Sequence, residues 1–433
     1  MPEYLPILLF AVIFISLLFG YPVAFTLGGI SILVGLWIFD IQFFYLLALR
    51  IYGIMNNFVL LAVPLFVFMG MMLEKSGLAE RLLETMSMIF GRFRGGLAIA
   101  VILVGGLLAA STGIVGATVV TMGLISLPTM LKKGYSKGVA TGVIASSGTL
   151  GQIIPPSVVL VLLGSVLNVS VGDLFLAAVI PGVSLVIIYI FYVLIYAKVR
   201  PEEVPVVPKE ELESFKKRGL NFEVIKTFLF PFLLVLAVLG SIFAGIASPT
   251  EAAGVGALGA IILTLINRKL NFNILKEVCQ ETTKITSMVF MILVGATAFS
   301  LVFRGLEGDR YFLSIIESSN FSASQFLLVV MLMVFIAGFF IDFIEIIFII
   351  VPIVVPVFVA LGVDLIWIGI LLAINLQTSF LTPPFGFALF YLKGVAPPEV
   401  KTSDIYKGIV PFVIIQLIFL LLLIQFPQVI SVF

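Results

Sequence analysis

The chain has 433 residues, of which 61% are hydrophobic and only 11% are charged, against roughly 25% charged residues in an average soluble domain. This composition excludes a soluble globular protein, and a formal net charge of +1 without a basic face excludes nucleic-acid binding. Because the sequence contains no histidine, histidine-based triads, zinc sites and proton relays are excluded, and we expect neither an enzyme nor a transition-metal site.

Charged clusters and Gly/Pro punctuation divide the chain into predicted membrane crossings, since a helix needs about 20 apolar residues to span a bilayer. The first apolar stretch follows no basic segment, so we expect it to remain as a span and not to be cleaved as a signal. The predicted crossings are about 4–20, 22–39, 56–73, 139–166, 172–197, 226–246, 249–267, 285–304, 366–392 and 408–430.

Two apolar stretches, 97–131 and 325–360, are about 35 residues long, which is too long for one spanning helix. Each is interrupted near its middle. The first breaks at Ala110-Ser111-Thr112-Gly113, and the second breaks between Gly338 and Glu345. Each stretch is therefore predicted to form either two tight spans or a re-entrant helical hairpin, and in both cases the chain returns to its starting side.

Sequence motifs recur at one offset along the chain, which indicates an internal duplication. Pro155-Pro156 and Pro383-Pro384 are 228 residues apart, and Pro128 with Pro356 and Gly134 with Gly362 share this offset.

The positions of lysine and arginine predict that the two halves enter the membrane from opposite sides. The flanks of the first hairpin carry the basic residues typical of cytoplasmic loops, whereas the loop after the second hairpin carries none. We therefore predict an all-α polytopic membrane protein with about 10 to 12 transmembrane helices and two re-entrant hairpins. Its two inverted repeats are residues 1–197 and 224–433, joined by a cytoplasmic linker at 198–223, and such repeats are typical of secondary transporters.

Hydroxyl and amide residues gather at the interruptions, where chemistry is expected. Paired prolines remove backbone donors, so the broken helices 139–166 and 366–392 are predicted to unwind near mid-membrane over Ser146–Pro156 and Asn375–Pro384. Unwound backbone is tolerated there only where it is buried or lines a cavity. Freed carbonyls with Ser, Thr and Asn oxygens suit Na⁺ better than a transition metal, and half-helix N-termini suit an anion.

The same residues have structural interpretations. A Pro-Pro pair can be a simple kink, and Ser111 with Thr112 can serve helix packing. Asp342 and Glu345 are costly in hydrocarbon and indicate a functional role, which includes the acidic dyad of a membrane enzyme, unless Glu345 lies in water at a hairpin mouth. Glu251 is predicted to cap a helix that begins with proline, and the single Cys279 is predicted to have no role.

Five segments, in this order along essentially the whole chain, resemble the large membrane subunit of tripartite ATP-independent periplasmic (TRAP) transporters. They are Val63-Pro64-Leu65-Phe66, Leu131-Lys132-Lys133-Gly134-Tyr135, Gly148-Thr149-Leu150-Gly151-Gln152-Ile153-Ile154-Pro155-Pro156-Ser157, Pro249-Thr250-Glu251-Ala252 and Leu381-Thr382-Pro383-Pro384-Phe385-Gly386.

This resemblance implies Na⁺-coupled uptake of an organic acid, such as a C4-dicarboxylate or sialic acid, across a bacterial or archaeal inner membrane, with Na⁺ as coupling ion and no cofactor. It implies three kinds of partner besides membrane lipid: the substrate, a periplasmic solute-binding protein and a separate small four-helix membrane subunit. It also implies an elevator-type transporter similar to the ion transporter superfamily. The alternative is a stand-alone divalent-anion/Na⁺ symporter of similar architecture that needs no binding protein.

The resemblance also implies the site residues, carried over by matching position. One Na⁺ site would contain Ser111, Ser147, Gly148, Thr149 and Pro155, and the other would contain Gly338, Asp342, Asn375 and Thr382. The substrate-binding residues would be Ser111, Thr112, Gln152, Thr378 and Ser379.

Overall fold

A computed structural model describes residues 4–207, 213, 222–318 and 321–430, and it is all-helical, with no strand in those ranges. The predicted all-α class is therefore confirmed. The first half contains α1 (Leu5–Leu18), α2 (Val23–Ile38), α3 (Tyr45–Met55), α4 (Ala62–Lys75), α5 (Leu78–Phe90), α6 (Gly96–Thr112), α7 (Val115–Lys132), α8 (Lys137–Thr149), α9 (Val158–Leu167) and α10 (Val171–Val199). The second contains α11 (Phe222–Phe243), α12 (Pro249–Ile266), α13 (Phe272–Gly305), α14 (Gly308–Ser318), α15 (Ala323–Ala337), α16 (Phe343–Ile349), α17 (Val351–Ala360), α18 (Leu365–Leu381), α19 (Phe387–Val395) and α20 (Thr402–Gln425).

Several of these helices are long and apolar enough to cross a membrane. Within the described ranges there are six, or seven if α16 and α17, which meet at a 49° bend, count as one span. The six are Phe58–Lys75, Val115–Lys132, Val171–Val199, Pro249–Ile266, Phe272–Gly305 and Thr402–Gln425. The remaining predicted crossings contain apolar helices of 10–17 residues, among them α9 of the first broken helix and α18 of the second.

The stretch 97–131 forms two helices, α6 and α7, that are joined by a very short connection. Gly113 ends α6 with φ of +61°, a left-handed conformation that glycine adopts without steric cost. Only Ile114 separates it from the first residue of α7. The stretch 325–360 likewise forms α15, a turn over 338–342, and the bent pair α16 and α17. We name the α6–α7 unit hairpin 1 and the α15–α17 unit hairpin 2.

Both predicted broken helices are interrupted, but over shorter segments than we expected. In the first, α8 continues to Thr149, a single 3₁₀ turn covers Leu150–Gln152, and α9 begins at Val158. In the second, α18 is helical through Leu381 and α19 begins at Phe387. The hydroxyl residues before each break lie in helix, where their side chains donate to carbonyls three or four residues back, and both Pro-Pro bonds are cis.

Three helices were not predicted: α3, α5 and α14. They are 11 to 13 residues long, and α5 and α14 carry charged residues, so none has the continuous apolar length that identifies a span. Helix α13 also begins at Phe272, well before the predicted start near 285. Half of the predicted linker, residues 208–212 and 214–221, lies outside the described residues.

The helices pack in two groups. In the first, α4 packs on α12, and α2 packs on α13. In the second, hairpin 1 packs on α8, which also contacts α20, while α18 contacts α10, α15 and α20. We name the first group the outer group and the second the hairpin group. They meet where α4 packs on α6 of hairpin 1 and on α9, and where α13 packs on α16 of hairpin 2.

Candidate functional site

The tip of hairpin 1 lies directly against the first helix break. A Cβ atom added at Gly113 would be 2.8 Å from Val158 Cγ2 and 3.0 Å from Val158 N, so the tip touches the first residue of α9. Below the tip, a Cβ at Gly151 would collide with the carbonyl of Ala109. Glycine at these two positions therefore allows the hairpin backbone to approach the broken helix closely.

Two residues predicted for the first Na⁺ site, Ser147 and Gly148, lie at the contact between α8 and hairpin 1. Ser147 faces Gly105 on α6, and Gly148 faces the backbone of Val119 on α7. Ser147 and Thr149 are fully buried, and Pro155 lies in the break between α8 and α9. The structure thus places Ser147 and Gly148 between the two arms of hairpin 1.

The hydroxyls of Ser111 and Ser147 each donate one hydrogen bond and accept none from the described residues. Ser111 Oγ donates to the Leu107 carbonyl at 2.8 Å, and Ser147 Oγ donates to the Ile144 carbonyl at 3.1 Å. A hydroxyl has one proton and two lone pairs, so each oxygen can still bind a cation. This arrangement suits a hard cation such as Na⁺.

Thr112 closes the tip of hairpin 1. Its hydroxyl is 2.7 Å from the Thr118 hydroxyl on the other arm, and both side chains are buried. This contact ties together the last turn of α6 and the first turn of α7.

Gln152 is the most unusual polar residue of the first break. Its side chain is fully buried, and neither amide atom has a hydrogen-bond partner among the described residues. Its backbone carbonyl accepts a 2.8 Å hydrogen bond from Ser157 Oγ, which fixes the turn. Buried amides are almost always hydrogen-bonded, so this carboxamide is available to a polar ligand.

Hairpin 2 meets the second broken helix in the same way. A Cβ added at Gly338 would collide with the side chain of Ser379 on α18. One turn earlier, Asn375 Nδ2 donates a 2.7 Å hydrogen bond to the Met331 carbonyl of α15. Thr378 and Thr382 donate to carbonyls of α18 itself, at 2.7 and 2.8 Å. Of the predicted residues, Gly338, Ser379 and Asn375 therefore lie at the contact between hairpin 2 and α18.

Asp342 and Glu345 form the N-terminal cap of α16. Asp342 Oδ1 accepts from the Phe343 amide at 2.6 Å, and Glu345 Oε2 accepts from the Asp342 amide at 3.1 Å. Both side chains are half-buried and line a cavity of about 550 Å³ between hairpin 2, the α1–α2 turn and α13. Glu345 thus has a capping role and also faces a cavity.

The predicted structural role of Glu251 is confirmed. Its carboxylate accepts from the Ser248 amide at 2.8 Å, and its own amide donates to Ser248 Oγ at 3.3 Å, which completes a capping box at the start of α12.

Sequence reasoning missed two residues that connect the hairpins to their surroundings. The ring of Tyr391 on α19 would be 3.1 Å from a Cβ added at Gly116 of hairpin 1, and its hydroxyl lies within electrostatic range of Asp342 in hairpin 2. Gly70 on α4 lies against the backbone of Thr112, where a Cβ would collide. A lone glycine in the apolar run of α4 signals such a close approach, whereas nothing local marks Tyr391.

The sequence matches the family described as tripartite ATP-independent periplasmic transporter, DctM component, over residues 10–429. It is 32% identical to the C4-dicarboxylate TRAP transporter large permease protein DctM of Vibrio cholerae, covering 98% of this chain and 96% of that protein. It is 30% identical to the ectoine TRAP transporter large permease protein TeaC of Halomonas elongata, covering 86% and 84%.

Among solved structures, the fold is similar to the YdaH transporter of Alcanivorax borkumensis. The TM-score is 0.64 at 12% sequence identity, over 94% of this chain and 96% of that one. This likeness supports the fold of a helical membrane transporter.

Proposed function

Because the chain belongs to the DctM component family of TRAP transporters, we propose that it is the membrane subunit that couples Na⁺ entry to uptake of an organic acid. The observation that carries this proposal is the pairing of each hairpin tip with a broken helix: Gly113 with Val158, and Gly338 with Ser379. Each pairing brings helix ends and polar side chains together within apolar helices, which is the arrangement in which transporters bind ions and substrates.

Na⁺ is assigned to the oxygen-rich side of each pairing. The first site takes its oxygens from Ser111, Ser147, Thr149 and the break at Pro155. The second takes its oxygens from Asp342, Asn375 and Thr382. The hydroxyls keep their lone pairs, and Asp342 has a second carboxylate oxygen besides the one that caps α16. Na⁺ acts as the coupling ion, and the proposal requires no other cofactor.

The substrate is assigned to the space between the tips and the breaks. Gln152 offers an unpartnered carboxamide, and Thr112, Thr378 and Ser379 offer hydroxyl oxygens nearby in the two pairings. Amide donors and the N-terminus of α9 can bind a carboxylate without a cationic side chain. The related permeases are named for C4-dicarboxylate and for ectoine, so the proposed substrate is a small molecule bearing a carboxylate.

The family description supports a partner outside the membrane. We assign delivery of the substrate to a periplasmic solute-binding protein and expect a separate small membrane subunit beside the chain in the inner membrane. Movement of the hairpin group against the outer group, as an elevator, would carry substrate and Na⁺ across.

Uptake into proteoliposomes tests the coupling. The chain is reconstituted with the small subunit and binding protein encoded beside its gene, and radiolabelled candidate acids are supplied. An inward Na⁺ gradient should drive accumulation, an equal K⁺ gradient should not, and ATP should have no effect. Accumulation driven equally by K⁺ would contradict Na⁺ coupling.

The binding protein is tested in the same vesicles. Omitting it should abolish uptake, because it delivers the substrate. Undiminished Na⁺-driven uptake without it would favour the stand-alone symporter.

A further inference from the structure

Three polar side chains meet in the core of the hairpin group. Tyr189 of α10, Gln377 of α18 and Gln416 of α20 are each fully buried. Gln416 Nε2 donates a hydrogen bond to the Tyr189 hydroxyl, and the Gln377 amide lies near that hydroxyl but outside hydrogen-bonding geometry. We name these three residues the buried polar cluster.

The cluster has more hydrogen-bonding groups than its own members pair. Both amide atoms of Gln377 and the Oε1 atom of Gln416 have no partner among the described residues. Turning the Gln416 carboxamide over would exchange its two ends but would still leave one of them unpaired. Leaving such groups unpaired in a core is costly, so they point to a small polar ligand.

The chemistry of the cluster selects water over an ion. Its groups are one hydroxyl and two neutral carboxamides, which include both donors and acceptors. A buried cation would use only the acceptors and would leave the amide N–H donors of the cluster unpaired. A water molecule, which typically makes about three hydrogen bonds when buried, can use both kinds of group.

A cavity provides a route for this water. It has a volume of about 470 Å³ and is lined at its rim by Lys137, Arg200 and Lys407 and deeper by Tyr192 and Phe412. The Tyr192 and Phe412 rings have centroids 5.0 Å apart, and the Phe412 and Tyr189 rings have centroids 5.1 Å apart. Phe412 therefore stands between the cavity and the cluster.

The rim of this cavity is charged. The hydrogen bond from Arg200 to Glu203, 2.8 Å long, and a second one from Tyr196 lower the pKa of the Glu203 carboxyl below its ordinary value. The carboxylate is thus ionised at neutral pH, and it lines the same cavity as Lys137, Arg200 and Lys407.

We propose that Tyr189, Gln377 and Gln416 form a binding site for internal water, and that this water exchanges with the rim cavity past Phe412. The site lies behind α18 and uses none of the side chains assigned to substrate or Na⁺. The bound water hydrates the face of α18 that carries Gln377.

Radiolytic hydroxyl-radical footprinting of the purified full chain in lipid nanodiscs tests this site, because radicals generated from a bound water label the adjacent side chain. Tyr189 should be labelled about tenfold faster than Phe175, which is equally buried but lies in an apolar environment. Labelling of Tyr189 as slow as that of Phe175 would overturn the proposal.

Variants identify the groups that hold the water. Gln377→Met and Gln416→Met, tested singly and together, should reduce labelling of Tyr189 to the level of Phe175, whereas Gln42→Met at an exposed position should not. Unchanged labelling in the double variant contradicts the site. If the double variant does not fold, the single variants decide, since each removes part of the same set of partners.

Two further measurements separate water from Na⁺ and test the route. Labelling of Tyr189 should be the same in NaCl and choline chloride, and protection by NaCl would overturn water as the occupant. After rapid mixing with H₂¹⁸O, Phe412→Ala should increase the rate of ¹⁸O incorporation at Tyr189 by about tenfold or more, because the ring no longer blocks the route. An unchanged rate would contradict exchange past Phe412.

Discussion

At the residue scale, the hydroxyl groups of the candidate site serve the helices that carry them. Ser147, Thr378 and Thr382 each donate to a backbone carbonyl three or four residues earlier, at 2.7 to 3.1 Å. Their protons satisfy the helix and their lone pairs remain free, so these residues can bind a cation without breaking the helix first.

Asp342 caps α16 and is also proposed to bind Na⁺, and two substitutions separate these roles. Asp342→Asn keeps a side-chain oxygen that caps α16, so the thermal midpoint should stay near that of the parent chain, whereas Asp342→Ala should lose about 0.5–2 kcal/mol of stability. Both variants remove the charge, so both should need about tenfold more Na⁺ for half-maximal uptake, which corresponds to about 1.4 kcal/mol. Uptake is measured against Na⁺ concentration in proteoliposomes.

Glu251→Gln is the matched control, because Glu251 also belongs to a capping box but lies on α12, in the outer group. Its Na⁺ dependence should equal that of the parent chain. An unchanged Na⁺ dependence in Asp342→Asn would exclude Asp342 from the ion site.

Gly338 tests the contact between hairpin 2 and α18. Gly338→Ala introduces a methyl group that collides with Ser379, so it should lose uptake and about 1–3 kcal/mol of stability through overpacking. Adding Ser379→Gly should recover stability, because it removes the obstructing atoms. Gly394→Ala on α19, where no atom lies within 4 Å of the new Cβ, is the control and should be neutral in thermal unfolding.

At the element scale, each hairpin makes close contacts at glycine. The tip of hairpin 1 touches α9 through Gly113 and α4 through Gly70, and hairpin 2 touches the Ser379 side chain of α18 through Gly338. The contact at Gly70 leaves little room for adjustment, because a clash with the Thr112 backbone cannot be relieved by a change of rotamer.

Gly70 therefore allows α4 to pack closely against the tip of hairpin 1. Gly70→Ala should reduce uptake by about tenfold or more and lower stability by about 1–3 kcal/mol, because the new methyl group meets the Thr112 backbone. Gly254→Ala on α12, which meets nothing within 4 Å, should leave both unchanged. Equal behaviour of the two variants in uptake and thermal unfolding would show that hairpin 1 does not depend on this contact.

The sequence predicted the presence of the hairpins and broken helices more accurately than the residues at which their helices begin and end. The hairpins and both breaks were predicted because prolines, glycines and polar residues interrupt apolar runs there. The predicted length of each break was wrong because local sequence does not show how tightly α8 and α18 are packed, and Ser147 and Ser379 are fully buried within helix. The helices α3, α5 and α14 were missed because they are too short or too charged to resemble a span.

At the scale of the whole molecule, few polar contacts join the outer group to the hairpin group. Asn57, next to α4, donates a 3.2 Å hydrogen bond to Ser165 of α9, and Thr121 of hairpin 1 donates a 2.6 Å hydrogen bond to Glu74 of α4. An elevator movement of one group against the other has to break these two bonds.

A reversible cross-link tests this movement. In a Cys279→Ala background, which removes the only native cysteine, Asn57→Cys with Ser165→Cys should be bridged by Hg²⁺. Bridging should abolish Na⁺-driven uptake, and a thiol reductant should restore it, because the link fixes two groups that separate in the proposed elevator movement.

A matched pair within the outer group, Lys75→Cys with Glu277→Cys, replaces an ion pair between α4 and α13. Bridging this pair should leave uptake intact. Full uptake through a bridged Asn57/Ser165 variant would contradict the elevator movement.

The sequence by itself determined the membrane class, the hairpins and the breaks, because continuous apolar length and its interruption by proline and glycine are local properties of the chain. Only the tertiary structure decided which polar groups are left unpaired. Gln377 reads as an ordinary amide in sequence, and its isolation depends on helices far away in the chain. Tyr391 is likewise not marked in sequence, because its packing against Gly116 of hairpin 1 arises from the tertiary structure and not from any pattern around it.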